Sequence, residues 1–387
     1  MSRLGAVAPA VRETSHLRSA AVAARVGRWL GICFGVAFLT GLVSHYAQNP
    51  TQPIPFPTSP SWGYRLTQGL HVTTGIACIP LLLVKLWSVL PLLVRGLPSG
   101  WAARARDGAE RASIAVLVSA SVFLLVTGLL NSTQWYPWDF SFRRSHYALA
   151  WVATGALLLH LAVKLPTIRE ALGRDVDDTA LDRPEAVARG GLSRRGLLRS
   201  TWVAAGLAVL ATAGSTVPWL RRVSVLGVRS GDGPGDVPIN RTAAAAGVEE
   251  SASSPAYRLV VGYAGTTVSL TREDLLAMPQ RSEELPIACV EGWSASAVWT
   301  GVRLRDLLDL VDAPRGAEVE VTSLQERGAF RATLLQGNFA DDDRTLVALA
   351  LSGEPLDLDH GYPARLIAPN RPGVLQTKWL SRLEAVT

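Results

Sequence analysis

Before Val225 the sequence holds five stretches with almost no charge, and no other feature limits the fold as strongly. They run roughly over Trp29–Gln48, Gly69–Val94, Ala112–Leu130, Ser145–Val163 and Thr201–Leu220, each near the ~20 apolar residues a helix needs to cross a bilayer. A chain in hydrocarbon must satisfy its own backbone hydrogen bonds, which a helix does within one segment. The sequence therefore predicts five transmembrane helices. From Val225 to Thr387 the character is mixed and turn-rich, with a length that suits one soluble domain.

The net charge of +6 is not a nucleic-acid signature, because the basic residues gather beside particular apolar stretches. Arg12, Arg18, Arg25 and Arg28 precede the first; Arg95, Arg104, Arg106 and Arg111 separate the second from the third. Arg169, Arg174, Arg183, Arg189, Arg194, Arg195 and Arg199 separate the fourth from the fifth. The alternate loops hold only Arg65, and then Arg143 and Arg144. This asymmetry predicts a multi-pass protein of the cytoplasmic (inner) membrane with its N-terminus in the cytoplasm and its C-terminal domain outside. Trp62, Tyr64, Trp135, Tyr136 and Trp138 in the outer loops suit the lipid–water interface. No cleavable leader is expected, since the first stretch follows a long basic tail without a small-residue cleavage site. Ser193-Arg194-Arg195-Gly196-Leu197-Leu198-Arg199, directly before the fifth stretch, resembles a twin-arginine export signal. A plain positive-inside anchor explains the same residues.

The first four stretches read as an internal duplication. Phe38-Leu39-Thr40-Gly41-Leu42 recurs as Leu125-Val126-Thr127-Gly128-Leu129, and Val72-Thr73-Thr74-Gly75 as Val152-Ala153-Thr154-Gly155. Two helical hairpins forming a four-helix bundle follow, with the glycines permitting close approach. Lys85 and Lys164, at matching places near the cytoplasmic ends, are expected to snorkel.

His45, His71, His146 and His160 lie in or at the edge of these helices, where ionisable side chains are costly and point to function. His146 and His160 stand fourteen positions apart, about 21 Å along one helix and nearly on one face. Here the sequence resembles the bacterial cytochrome b subunits that serve formate dehydrogenases and hydrogenases, four-helix bundles with bis-histidine haems. The resemblance implies a haem b held by His71 and His146, which lie at compatible outer depth. His160 lacks a partner at inner depth, because Lys85 occupies the comparable place, and His45 competes with the outer pair. Without haem, these histidines would hydrogen-bond between helices or to quinone and headgroups.

In the C-terminal part, Gly231–Val248 has linker composition, although Val237-Pro238-Ile239-Asn240-Arg241 is an extended, proline-fixed segment suited to lie along a ligand. Strands are predicted at 257–261, 267–270, 286–290, 318–323, 331–334, 345–351, 364–367 and 382–386. A capped short helix is predicted at 271–276 and an amphipathic one at 302–311. Such a mixture implies an α+β domain with a largely antiparallel sheet. Cys289, in ACVEGWSASAVWTG, has no cysteine in this half to pair with. On residue type it is either inert packing or a ligand.

Three motifs in order then resemble one family. CVEGWS at Cys289–Ser294, Asp359-His360-Gly361-Tyr362-Pro363-Ala364-Arg365-Leu366 and Thr377-Lys378-Trp379-Leu380 are similar to the sulfite oxidase fold that binds molybdopterin, closest to the bacterial methionine sulfoxide reductase catalytic subunit. The resemblance runs from about Asn240 to Thr387. It implies Cys289 as molybdenum ligand, a soft thiolate for a thiophilic metal. It also implies His360, Arg365 and Lys378 as anchors of the pterin phosphate through charge-assisted hydrogen bonds, with Asn240 as an amide contact to the pterin. Where sulfite oxidases place basic residues after the cysteine, Val290-Glu291-Gly292-Trp293 offers none, and Glu291 opposes an oxyanion such as sulfite. Arg327, Arg331 and Arg371 remain possible anion contacts, each more simply a solvated surface charge. The long C-terminal dimerisation extension of sulfite oxidases is not expected, and no iron–sulfur or c-type haem spacing occurs.

The expected organisation is a tail at 1–28, a cytochrome b-like four-helix domain at 29–166 and a linker with the twin-arginine-like motif at 167–199. A fifth helix at 200–222, an extended linker at 223–256 and the molybdopterin-binding domain at 257–387 complete it. The expected function is two-electron oxygen-atom transfer on a small molecule outside the membrane, with electrons exchanged with the quinone pool or a separate redox protein and membrane lipid as neighbour. Two alternatives stand beside it: a tethered domain that binds without turnover, and an enzyme whose helices only anchor it and dock a separate haem protein.

Overall fold

The computed structural model describes residues 14–52, 54–93, 96, 98–187, 190–227 and 234–386. Arg12, Arg95 and Arg189, and the start of the Gly231–Val248 stretch, lie outside the described residues.

Helices α1 (Ala20–Ala47), α2 (Gly63–Leu93), α3 (Trp101–Ser132), α4 (Phe142–Gly173) and α5 (Arg194–Thr212) contain the five apolar stretches. All five are long and apolar enough to cross a membrane. Several exceed ~20 residues because their polar ends continue the helix, as Trp101–Arg111 does for α3. Large side chains such as Leu83, Leu158 and Leu207 stand exposed along them. Contacts divide the chain into two compact units, one of Met1–Phe38, Thr73–Leu129 and Trp138–Val209, the other of Leu39–Val72, Leu130–Pro137 and Leu210–Thr387.

In the first unit, strand β1 (Thr14–Ser15) pairs in parallel with β2 (Ala186–Val187). Val22, Val26 and Leu81 form a small core with Leu197 and Leu198 of α5 packed against it. Neither expected snorkelling lysine is simply solvated. Lys85 donates to the Ala23 carbonyl at 2.9 Å, and Lys164 pairs with Glu110. The twin-arginine-like pair is held by the acidic segment that precedes it: Arg194 is buried, pairs with Asp182 and donates to the carbonyls of His16, Val176 and Asp178, while Arg195 pairs with Asp175 and Asp177.

The second unit contains two five-stranded sheets. One has β3 (Leu259–Tyr263), β4 (Thr266–Leu270), β7 (Glu318–Ser323), β8 (Ala332–Leu335) and β12 (Leu380–Val386) in the order β4-β3-β12-β7-β8. The other joins β5 (Gln280–Ala288), β6 (Ser294–Arg303), β9 (Leu346–Leu351) and β10 (Glu354–Pro355), with β11 (Arg365–Ile367) also on β9. Every pairing is antiparallel except β12 with β3, as the α+β reading expects. Alternate residues of both sheets fill the core, which Leu259, Val261, Val319, Val321 and Leu383 share with Leu304, Leu307 and Leu308 of a short helix at Leu304–Asp309.

Three expectations need correction. The 302–311 helix starts only at Leu304, because Val302 and Arg303 still pair with Val347 and Leu346 as the end of β6. β6 itself is an addition: Ala295, Ala297 and Trp299 are buried in alternation with their neighbours, but the serines and alanines of its first half mask it as a strand. The extended linker folds into helices at Ala243–Ala246 and Glu249–Ser253, with Thr242 as N-cap and Gly247 at φ 70° as C-cap. Ala243, Val248 and Ala252 bury against Trp379, so the domain begins well before residue 257.

Candidate active site

β5 ends at Ala288, and the hairpin to β6 turns through Cys289–Trp293. Two backbone bonds close the turn, Cys289 N–H to Trp293 O at 2.9 Å and Gly292 N–H to Cys289 O at 3.1 Å. Gly292 supplies the left-handed residue at φ 83°. Cys289 is thereby fixed and 1% exposed, packed with Val237, Ile287 and Trp293. Burial, and then the Glu291 carboxylate, push its thiol well above the ordinary value. One oxygen of Glu291 accepts from Trp293 Nε1 at 3.1 Å and from Gln134 Nε2 at 2.8 Å, and lies 3.8 Å from Cys289 Sγ. Asn131 Nδ2 donates to the Val290 carbonyl at 2.8 Å. The end of α3 and the residues after it thus brace the cysteine turn, a contribution that no local sequence signal announces.

The second and third motifs meet beside this turn. Asp357 caps a 3-10 turn at Leu358–His360, and Gly361 at φ 109° reverses the chain into β11. A side chain at Gly361 would press on Arg365 and Lys378, with a Cβ contact of 3.0 Å to the former. The extended segment crosses this corner. His360 Nε2 meets the Val237 carbonyl at 2.9 Å, Lys378 Nζ donates to Arg241 O at 2.7 Å and Asp359 O at 2.8 Å, and the Ala243 N–H donates to Asp359 at 2.7 Å. Asn240, His360, Arg365 and Lys378 all line one cleft here, together with Val237, Ile287 and Trp293. Cys289 sits just behind that wall, beside Ile287 and Trp293.

The polar chemistry of this cleft is incomplete by itself. Arg365 is 3% exposed, donates to the His360 and Gln376 carbonyls and lies over the Trp299 ring, yet among the described residues no carboxylate pairs with it. The equally buried Arg305 shows the contrast, since it pairs with both Asp309 and Asp341. Arg365 Nε and His360 Nδ1 are buried without a hydrogen-bond partner. Burial, then Arg365, lowers His360 to about 4; burial, then Arg365, lowers Lys378 to about 7. Burial also lowers Arg365, though a guanidinium stays charged at neutral pH. Cations crowded together without counter-charge are costly, and a phosphate dianion removes that cost through charge-assisted bonds. The residues present therefore fit a pterin phosphate, and the buried thiol behind them fits a soft metal ligand.

Of the other arginines, Arg327 and Arg331 are exposed as expected. Arg371 is not: it is 1% exposed, lies over Phe339 and donates to Leu334 O, with Nε and Nη1 unpartnered. The histidines of the helices fall at His45 in α1, His71 in α2, and His146 and His160 in α4.

Residues 245–387 match the family described as oxidoreductase molybdopterin binding domain. Sulfite oxidase of Arabidopsis thaliana is 34% identical over 114 residues, covering 24% of this chain and 29% of that protein. The uncharacterized oxidoreductase YuiH of Bacillus subtilis is 30% identical over 126 residues, covering 32% of this chain and 62% of that one. Human mitochondrial sulfite oxidase is 30% identical over 155 residues, covering 33% and 28%. The sulfane dehydrogenase SoxCD of Paracoccus pantotrophus matches in structure with a TM-score of 0.31 at 26% identity, over 34% of this chain and 38% of that one. The chain thus spans less than two thirds of each of these proteins. Residues 245–387 thus resemble molybdopterin-binding oxidoreductase domains, those of sulfite oxidases among them.

Proposed function

We propose that this protein is a membrane-anchored, molybdenum-cofactor-dependent oxidoreductase whose catalytic domain works outside the cytoplasmic membrane by oxygen-atom transfer. The observation that carries the proposal is the cleft in which Arg365, Lys378 and His360 converge without a carboxylate partner beside the buried Cys289 thiol. When bound, molybdenum and its pterin supply two-electron redox chemistry coupled to gain or loss of an oxygen atom.

The chain's own residues then have distinct tasks. Arg365 and Lys378 hold the phosphate, with neutral His360 offering Nδ1 as a further polar contact and Asn240 its amide. Cys289 would hold the metal as its thiolate, giving up its proton to do so. Glu291, anchored by Trp293 and Gln134, sets a carboxyl group in the cysteine turn and disfavours anionic substrates such as sulfite. The helices would link the metal site to the quinone pool, with His71 and His146 as the residues that would hold a haem. The Asn131–Val290 hydrogen bond supports that route, because it ties the cysteine turn directly to the end of α3.

Metal and pterin analysis of the purified protein, with a substrate panel of sulfoxides, N-oxides and sulfite, tests the reading. Stoichiometric molybdenum and turnover of neutral substrates are expected. Protein made in a molybdenum-replete host that contains none would refute it.

A further inference from the structure

The twin-arginine-like motif at Ser193–Leu198 is spent on contacts inside the first unit. Ser193 Oγ accepts from the Gly196 N–H at 3.0 Å, the bond of a helix N-cap. Leu197 and Leu198 pack on Val22, Val26 and Leu81. The Arg194 guanidinium, 3% exposed, uses all three nitrogens: Nε donates to His16 O at 3.2 Å, Nη1 to Val176 O at 3.1 Å and Asp178 O at 3.0 Å, and Nη2 to Asp182. Arg195 reaches Asp177 at 2.9 Å through Nε and both oxygens of Asp175 at 2.9 and 3.0 Å through Nη2.

The two arginines are not held equally. Arg195 is 54% exposed and its partners Asp175 and Asp177 are 62% and 53% exposed, so its pairs are weak and open readily. Arg194 and Asp182 are 3% and 14% exposed, and parting a buried pair strands a charge away from water. The carbonyls on Arg194 come from two segments that it ties together: His16 follows β1, and Val176 and Asp178 lie between α4 and β2. With the β1–β2 pairing they form a collar around the start of α5. A receptor that recognises two guanidinium groups must supply acceptors for their N–H groups. The closed collar and such a receptor therefore compete for one set of hydrogens.

We propose that the acidic stretch Asp175–Asp182, with Asp182 as its anchor, is a built-in mask of the motif, so that an export receptor reads the arginines only while the collar is open. This rests on reading the motif as an export signal. The order of the chain suits a mask: Asp175–Asp182 are made before Arg194, and the C-terminal domain after it. The mask is thus at hand when the motif first emerges, and recognition is held back while the domain to be exported is still being made.

The test uses the full chain in a bacterium with a working twin-arginine pathway. Trypsin added to inverted membrane vesicles reads access to the motif as cleavage after Arg194 or Arg195. Pulse-chase labelling with protease outside spheroplasts reads the arrival of the C-terminal domain. Asp182→Asn, which keeps the shape and removes the charge, is expected to raise the cleavage rate about tenfold or more and to shorten the export half-time. Arg194→Lys with Arg195→Lys is expected to block export. Should Asp182→Asn fail to accumulate, Asp175→Asn with Asp177→Asn, at exposed positions, gives the same directions at about twofold. Cleavage or export unchanged in the aspartate variants, with export blocked in the lysine pair, overturns the mask and leaves the export reading standing. Normal export of the lysine pair overturns both.

Discussion

Lys378 provides a quantitative test of the anion cradle. Its ammonium donates to two carbonyls and lies 4.9 Å from the Trp379 ring centroid. Burial, then Arg365, lowers it from 10.5 to about 7. Between those values the unfolded chain binds a proton that the folded chain has released, so cofactor-free protein gains stability as pH rises from about 7 to 10.5 and loses it as pH falls through that window. One proton corresponds to about 1.4 kcal/mol per pH unit. From pH 7.5 to 9.5 the gain is about 2–2.5 kcal/mol once both ends of the window, chiefly the lower one, are allowed for. The assay is urea-dependent pulse proteolysis of the catalytic domain, on full-length protein from a pterin-deficient host. Wild type is expected to gain about 2–2.5 kcal/mol more than Lys378→Met over this interval. Added phosphate should flatten the wild-type slope, because an anion returns Lys378 toward its ordinary value. Equal slopes in the two proteins would show that Lys378 is not held in a charge-poor cradle, and the argument for a phosphate site would lose its main support.

Other outcomes follow from the same geometry. Cys289→Ser, a near-isosteric change at a buried position, should leave urea stability within about 1 kcal/mol and abolish molybdenum retention. Metal content equal to wild type would exclude Cys289 as ligand. His360, lowered to about 4 by burial and then Arg365, should make the cofactor-free protein lose stability as pH falls from about 6.5 to 4, an acid sensitivity that His360→Asn removes. Gly301→Ala should destabilise the domain by more than about 3 kcal/mol, since a Cβ there would stand 2.1 Å from the Val347 carbonyl, which is backbone and cannot step aside. A soluble, wild-type-like urea midpoint would contradict that packing.

The three motifs were legible because each concentrates chemistry in a few adjacent residues, and the structure brings Asn240, His360, Arg365 and Lys378 to one cleft. The apolar stretches were legible because length and absence of charge are local properties. β6 escaped because its first half, Ser294–Ala297, is serine and alanine and gives no strand signal, although the inward alternation of Ala295, Ala297 and Trp299 was present. The helices at 243–253 escaped because Ala-Gly composition resembles a linker, while the Thr242 and Gly247 caps that bound the first were available signals. Arg371 could not be read as buried: its cover, including Phe339, comes from residues more than thirty positions away. Long-range packing of that kind has no periodicity to betray it.

The same limit hides how much the catalytic domain depends on segments from the helical half of the sequence. Within the second unit, Gln336 donates to the Gln52 and Ile54 carbonyls and accepts from the Phe56 N–H, while Asn370 accepts from the Tyr64 N–H and donates to Pro57 O. Arg65 donates to Ala295 O and Ser296, and Asn131 and Gln134 brace Val290 and Glu291. Of these, Asn131 and Gln134 reach the cysteine turn itself and Arg65 reaches β6 just after it. Excising residues 223–387 removes all of them at once and leaves buried carbonyls and amides unsatisfied, each costing about 1–3 kcal/mol where water cannot reach. The turn should then open more often, and Cys289 should react faster with iodoacetamide in the cofactor-free excised domain than in the cofactor-free full chain at one pH. Asn131→Ala in the full chain should give an intermediate rate, because of the braces on the turn it removes the bond to Val290, together with the Tyr136 hydroxyl's bond to Asn131, and leaves Gln134 on Glu291. Equal rates in all three proteins would mean that the turn is held by its own backbone bonds, Cys289 to Trp293 and Gly292 to Cys289, and that the outer segments serve only to tether the domain.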